Sequence, residues 1–236
     1  MQAQHLTPRR PRPGVAITLG AWLSAACMAT TALAAPTEAL RQQEIERCEP
    51  GEVSTWPDGQ DRPAAGGAVR IVYRHAGAPP GFSEAAVLGA VQRAAQAWAA
   101  CGIPSQVISE AAAPLYPGTV VTVQWNDAQT RGNFALADVG RRQLWMGAGM
   151  FALLAQRNPR HPAGQVLQMA LSHEIGHFFG LMAHSRRCVD VMSYYDNGQG
   201  EVCAIRGGGS YKTMPEYRAV LPTACDIARC RAVNGK

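Results

Sequence analysis

Two periods of hydrophobicity run through this chain of 236 residues. Over 69–74, Val-Arg-Ile-Val-Tyr-Arg, apolar and polar side chains nearly alternate, which is the period of two that a half-buried strand imposes. Segment 119–125 repeats the pattern more cleanly, and 106–109, 135–138 and 143–146 read as shorter strands. A helix is expected between the first two strands, capped by Ser83, with Val87, Val91, Ala94 and Trp98 on one face and Gly102 beyond its end near residue 100. The same three- and four-residue spacing returns over 164–179, where Val166, Met169, Ala170 and Leu171 form the buried stripe and Gly180 suits a left-handed stop. A last helix is expected over 223–233. Residues 35–66 show neither period; they are polar, carry Pro50, Pro57 and Pro63, and read as an extension or tether. Asn197-Gly198 and residues 207–210 mark turns and a loop. Strands and helices in this order make an α+β domain.

The first residues change the picture of where the chain works. Arg9, Arg10 and Arg12 precede an apolar stretch over 15–29 and a small-x-small site at Ala32-Leu33-Ala34, the order found in a secretory signal peptide. Residues 1–34 are therefore expected to leave, and the protein to be secreted or periplasmic; an uncleaved anchor is the alternative, although the stretch is barely long enough to span. Three of the 22 basic residues and no acidic ones go with the signal, so 19 face 17 in the rest. No basic run remains to suggest nucleic acid or stable insertion in a membrane.

Seven cysteines become six once Cys27 leaves: Cys48, Cys101, Cys188, Cys203, Cys225 and Cys230. An even number in an exported chain points to three disulfides, with fifteen pairings open to them. A bond between Cys188 and Cys203 would brace the segment between them. None has C-x-x-C spacing, which argues against a thiolate zinc cluster.

The chemistry is concentrated in residues 173–184, His-Glu-Ile-Gly-His-Phe-Phe-Gly-Leu-Met-Ala-His, which hold three of the six histidines. On a helix His173 and His177 share a face, roughly 6 Å apart along the axis, so both imidazoles can reach one zinc ion. Glu174 lies about 100° around the helix, beside such a metal without ligating it, where a general base belongs. Gly180 ends the helix and lets the chain return a third ligand, for which His184 is the candidate. Downstream, Met192 sits within Val-Asp-Val-Met-Ser-Tyr-Tyr, residues 189–195.

With these residues the chain resembles the metzincin zinc endopeptidases, matrixins and serralysins in particular, whose pattern is H-E-x-x-H-x-x-G-x-x-H followed by a methionine-containing turn. The resemblance covers roughly residues 68–195 and implies a twisted mixed sheet, two helices above a zinc cleft, and a smaller irregular C-terminal subdomain with a final helix. In these terms 35–66 is an N-terminal extension and 67–236 the catalytic domain. His173, His177 and His184 would bind one catalytic zinc, Glu174 would be the general base, Met192 would lie beneath the metal, and Tyr194 would stabilise the oxyanion. A protein or peptide substrate would lie extended on an edge strand, which the resemblance assigns to 143–147. Cys48 resembles a zinc-capping pro-domain cysteine only faintly, and a disulfide is the better reading.

One departure stands out: the family's third histidine follows the glycine by three residues, and that position here is Ala183. His184 comes one residue late. A bulged turn can absorb the extra residue, and Asp190 is the nearest substitute if it does not. The late histidine also motivates an alternative, a catalytically silent exported binding protein; a zinc hydrolase of small amides or esters has no sequence feature in its favour. Asp196, Asn197 and Glu201 lack calcium-loop spacing, so calcium is not expected. His75 and His161 read as surface histidines.

Overall fold

In the computed structural model, which describes residues 37–236, the sheet is built where the alternation lies. The expected signal peptide, 1–34, falls outside the described residues. Strands β1 (Val69–Arg74), β2 (Ser105–Val107), β3 (Val120–Trp125), β4 (Ala135–Asp138) and β5 (Gln143–Met146) form one sheet in the order β2-β1-β3-β5-β4. β3 buries Val121, Val123 and Trp125 and leaves the intervening residues partly open, as its alternation requires. β2, β1, β3 and β5 are parallel, in a register that sets Ile71 beside Val121 and Val123 beside Leu144; β4 runs antiparallel to β5, with Ala137 opposite Leu144.

That order corrects one expectation. β5 is paired on both sides, to β3 and to β4, so at this end of the sheet the edge strand is β4 and not residues 143–147. The hairpin between β4 and β5 folds back outward, a step that strand patterning does not encode.

Among the described residues six α-helices accompany the sheet: α1 (Glu38–Glu46), α2 (Glu84–Ala99), α3 (Asp127–Thr130), α4 (Ala148–Arg157), α5 (Ala163–Phe178) and α6 (Ala224–Val233). α2 begins where Ser83 Oγ accepts the Ala86 amide at 3.2 Å. Its stripe of Val87, Val91, Ala94 and Trp98 is fully buried against the sheet and α5. Each of the two valines contributes about 1.5–3 kcal/mol by leaving water. Trp98 also donates its indole N–H to the Ser172 carbonyl at 2.8 Å, which pins α5 against α2. α6 starts in a capping box made by Thr223 and Asp226.

Residues 37–66, expected to be a tether, are instead a fixed strap. α1 lays Leu40 and Ile45 on a second cluster formed by Cys188, Val189, Cys203, Ile205 and Tyr217. Glu44 is buried, which is tolerable only because Arg187 and Tyr217 both bond its carboxylate. Glu52 binds Arg187 at 2.5 Å and Arg206 at 2.7 Å. Disulfides join Cys48 to Cys225, Cys101 to Cys230 and Cys188 to Cys203, one of the fifteen sets of pairings that the sequence left open. Three disulfides fit an oxidising, exported environment. Among the described residues no helix is long and apolar enough to cross a membrane.

Candidate metal centre

The end of α5 decides where the site can be. Gly180 takes φ +97°, its amide bonds the His177 carbonyl at 3.1 Å, and the Leu181 amide bonds the Gly176 carbonyl at 3.4 Å. This is the two-bond left-handed stop that glycine makes without strain. A side chain there would also strike the Arg62 carbonyl, 2.0 Å from where a Cβ would sit. The chain then turns, and residues 181–185 come back beneath the last two turns of the helix.

The turn brings His184 to the other two histidines. Its Nε2 lies 3.1 Å from His173 Nε2, and one ring nitrogen from each of His173, His177 and His184 falls within 4.8 Å of the others. Three second partners fix the rings. His173 Nδ1 donates to the Val191 carbonyl at 2.7 Å, His177 Nδ1 to the Leu181 carbonyl at 2.6 Å, and His184 Nδ1 to the Asp58 carboxylate at 2.7 Å.

Carbonyl and carboxylate oxygens only accept, so each Nδ1 must carry its proton. Burial, then the neighbouring His177 and His184, hold His173 well below its ordinary value, so its ring is neutral. Burial and His177 bring His184 down to about 4 although Asp58 pulls the other way. A neutral ring protonated at Nδ1 has a bare lone pair at Nε2. The lone pairs of His173 and His184 thus face each other at hydrogen-bond distance with no proton to share, and His177 brings a third ring nitrogen to the same space. Such a set repels itself unless a cation lies between. Zinc–nitrogen bonds of about 2.0–2.1 Å in a tetrahedral site require nitrogens roughly 3.3 Å apart, close to the spacing of this pair. The donor set fits zinc.

Glu174 lies partly buried beside this space, with Oε2 3.9 Å from His177 Nε2. The same oxygen accepts the Ala137 amide at 2.7 Å, which ties the carboxylate to the middle of edge strand β4. Burial raises its pKa, against the pull of His177 and the amide. Tyr194 stacks on His184 with ring centroids 3.7 Å apart, and remains 43% exposed at the mouth of the site. Burial, Asp58 and Glu174 push its hydroxyl up to about 12, so it stays a hydrogen-bond donor at any ordinary pH. The cleft in front, about 310 Å³, is bounded by β4, Glu174, the three histidines, Tyr194 and Arg218.

Met192 is wholly buried under the helix. A Cβ on Gly176 would come within 2.4 Å of its sulfur, so only glycine lets the turn and helix approach this closely. Asp190, the substitute ligand, is turned away: it accepts from Ser185 Oγ and Thr223 Oγ1, each at 2.6 Å, and braces the turn to α6. His75 bonds Tyr73 and is outside the cluster, as is His161. Cys48 is spent in its disulfide.

No family model matches the chain, and no curated protein matches it. Among solved structures it is similar to a chain in the GM1-bound form of the ECX AB5 holotoxin, at 14% identity over 77% of this chain and 91% of that one, with a TM-score of 0.43. So loose a superposition carries no argument about family or activity.

Sequence reading missed three residues of the site. Asp58 and Asp61, in the strap, accept the amides of His184, Met182 and Ala183. Asp-Gly-Gln-Asp at 58–61 looks like any polar turn, and no local signal links it to a histidine more than a hundred residues away. Arg218, at the far wall of the cleft, was likewise unmarked.

Proposed function

We propose that the chain is an exported zinc endopeptidase of the metzincin type, with 67–236 as its catalytic domain. The carrying observation is the convergence of three imidazole nitrogens, each Nδ1 already committed, beside a partly buried carboxylate tethered to the edge strand. His173, His177 and His184 would hold the ion. Bound zinc supplies Lewis acidity, polarising a carbonyl and bringing water to a nucleophilic state near neutral pH.

The protein's own groups account for the rest. A peptide pairs with the free edge of β4, which sets its scissile bond in front of Glu174. Glu174 accepts the proton of the attacking water and delivers it to the leaving amine, its position held by the Ala137 amide. Tyr194, protonated throughout, donates a hydrogen bond to the developing oxyanion from the rim. Arg218 and the wall it shares with Met169 lie beyond the reacting bond and bear on side-chain preference.

The test is metal analysis of the purified protein, with casein or gelatin cleavage measured with and without chelator. One zinc per chain and chelator-sensitive cleavage are expected, and Glu174→Gln keeps the zinc while abolishing turnover. Stoichiometric zinc without cleavage would favour the silent binding protein, and cleavage indifferent to chelator would sink the metalloprotease reading.

A further inference from the structure

The strap residues 54–64 run alongside 180–186 almost as a strand would. Arg62 N–H bonds Gly180 O at 3.1 Å, Trp56 N–H bonds His184 O at 2.8 Å, and Arg186 N–H bonds Ser54 O at 2.9 Å. Between these points the loop carries one residue more than the resemblance allows, and three of its amides, at 182, 183 and 184, point at the strap. Two carboxylates take all three. Asp61 Oδ1 accepts Met182 N–H at 2.8 Å and Ala183 N–H at 3.0 Å; Asp58 Oδ1 accepts His184 N–H at 3.0 Å. Gly59, between them, sits so close that a Cβ would meet the Met182 carbonyl at 2.5 Å.

The other oxygen of Asp58 holds the His184 ring through Nδ1 at 2.7 Å, so one carboxylate fixes both the backbone and the imidazole of the same residue. This ligand needs it most. His173 and His177 are positioned by a helix and use only carbonyls as ring partners. His184 stands on irregular chain that an extra residue lengthens by as much as ~3.5 Å. Asp61 is itself gripped by Arg229 of α6 through two bonds of 2.6 Å, and the strap is anchored by Cys48–Cys225 and by Glu52. The clamp is mounted on a rigid frame.

We propose that Asp58 is a positioning residue for the third metal ligand, and that the Asp58–Asp61 clamp makes the late histidine a competent one; this rests on the zinc reading above. The strap is then a component of the metal centre. Its carboxylate orients the ring, keeps the lone pair on Nε2 and strengthens the imidazole as a donor, a contribution whose loss typically weakens metal binding 10–100-fold.

The experiment uses the full exported chain, stripped of metal, with zinc affinity measured by competition against a chromophoric chelator. Asp58→Ala should weaken zinc 10–100-fold, and Asp58→Asn, which retains the shape and one acceptor, by less. The cobalt-loaded proteins give a readout that mere loss of stability would not move: the visible bands should shift in both Asp58 variants and stay unchanged in Arg74→Ala, a surface control. Metal-free melting curves identify any variant that fails to fold, in which case Asp58→Asn carries the comparison. Wild-type zinc affinity and an unaltered cobalt spectrum in a folded Asp58 variant would overturn the clamp while leaving the protease reading intact. A wild-type chain that binds no zinc would overturn the protease reading itself.

Discussion

Gly176→Ala measures how tightly the turn that carries Met192 is seated beneath α5. Inside a helix this change normally stabilises by about 0.5–1 kcal/mol, because alanine loses less backbone freedom on folding. Here the new methyl would sit 2.4 Å from Met192 Sδ and 2.7 Å from Trp98 Cζ2. Neither neighbour has room to yield: both side chains are fully buried, and the indole is held by Ser172. Overpacking of this kind costs about 1–3 kcal/mol, so the net expectation is a destabilisation of about 0.5–2 kcal/mol. Gly164 provides the control in the same helix, since a Cβ there meets nothing within 4 Å. Gly164→Ala should be neutral or stabilising by up to ~1 kcal/mol. Urea unfolding of the metal-free, disulfide-intact protein reads both as midpoint shifts at constant slope. Met192→Ala alone should cost about 2–5 kcal/mol, and Gly176→Ala should cost less on that background than on the wild type. Equal or greater stability in Gly176→Ala would refute the close contact, and with it the account of why glycine stands between Glu174 and His177.

Three further outcomes follow from charge and covalent structure. Burial first, and the charge of Asp190 second, push Asp226 up to about 8, so between pH 3.8 and about 8 the folded chain holds a proton that the unfolded chain has released. Stability is therefore lost as pH rises through that window, and Asp226→Asn should flatten the fall in urea midpoints; parallel profiles would contradict it. Glu52 has the opposite sign: burial would raise it, but Arg206, the Glu49 amide and Arg187 outweigh burial and bring it down to about 2. Its contribution is complete above 4.5 and fades as pH falls toward 2, so Glu52→Gln should lose stability at neutral pH and show a shallower acid limb by circular dichroism. Removing the Cys188–Cys203 bridge with a paired alanine substitution should cost about 3 kcal/mol, given the 15-residue separation, measured as a shift in urea midpoint.

How far the fold was legible depends on what pays no attention to distant chain. β1, β4, β5 and the second and fifth helices appear where the patterning puts them, because each has one face on the core and its period records that face. α1 was invisible for a physical reason: its one fully buried residue is Glu44, a charge that enters the interior only because Arg187 and Tyr217 meet it there. α4 was missed too, since Gly147 gives it no side-chain cap and Phe151 is its only fully buried residue. Strand order escaped as well: both β4 and β5 alternate acceptably, and only the pairing of β5 with β3 tells which one is left with a free edge.

The candidate metal centre divides along the same line. His173, Glu174 and His177 are neighbours on one helix, so their spacing fixes their geometry and the reading needed nothing else. His184 depends on a residue 126 positions away. A late histidine looks like damage only while the loop is considered by itself, because extra chain beyond Gly180 is harmless whenever something outside the loop takes up its amides. Asp58 and Asp61 take up three of them and leave the imidazole aimed inward. Spacing in the motif and the acidic pair in the strap therefore form a single feature, and a change to either should be compensable only through the other.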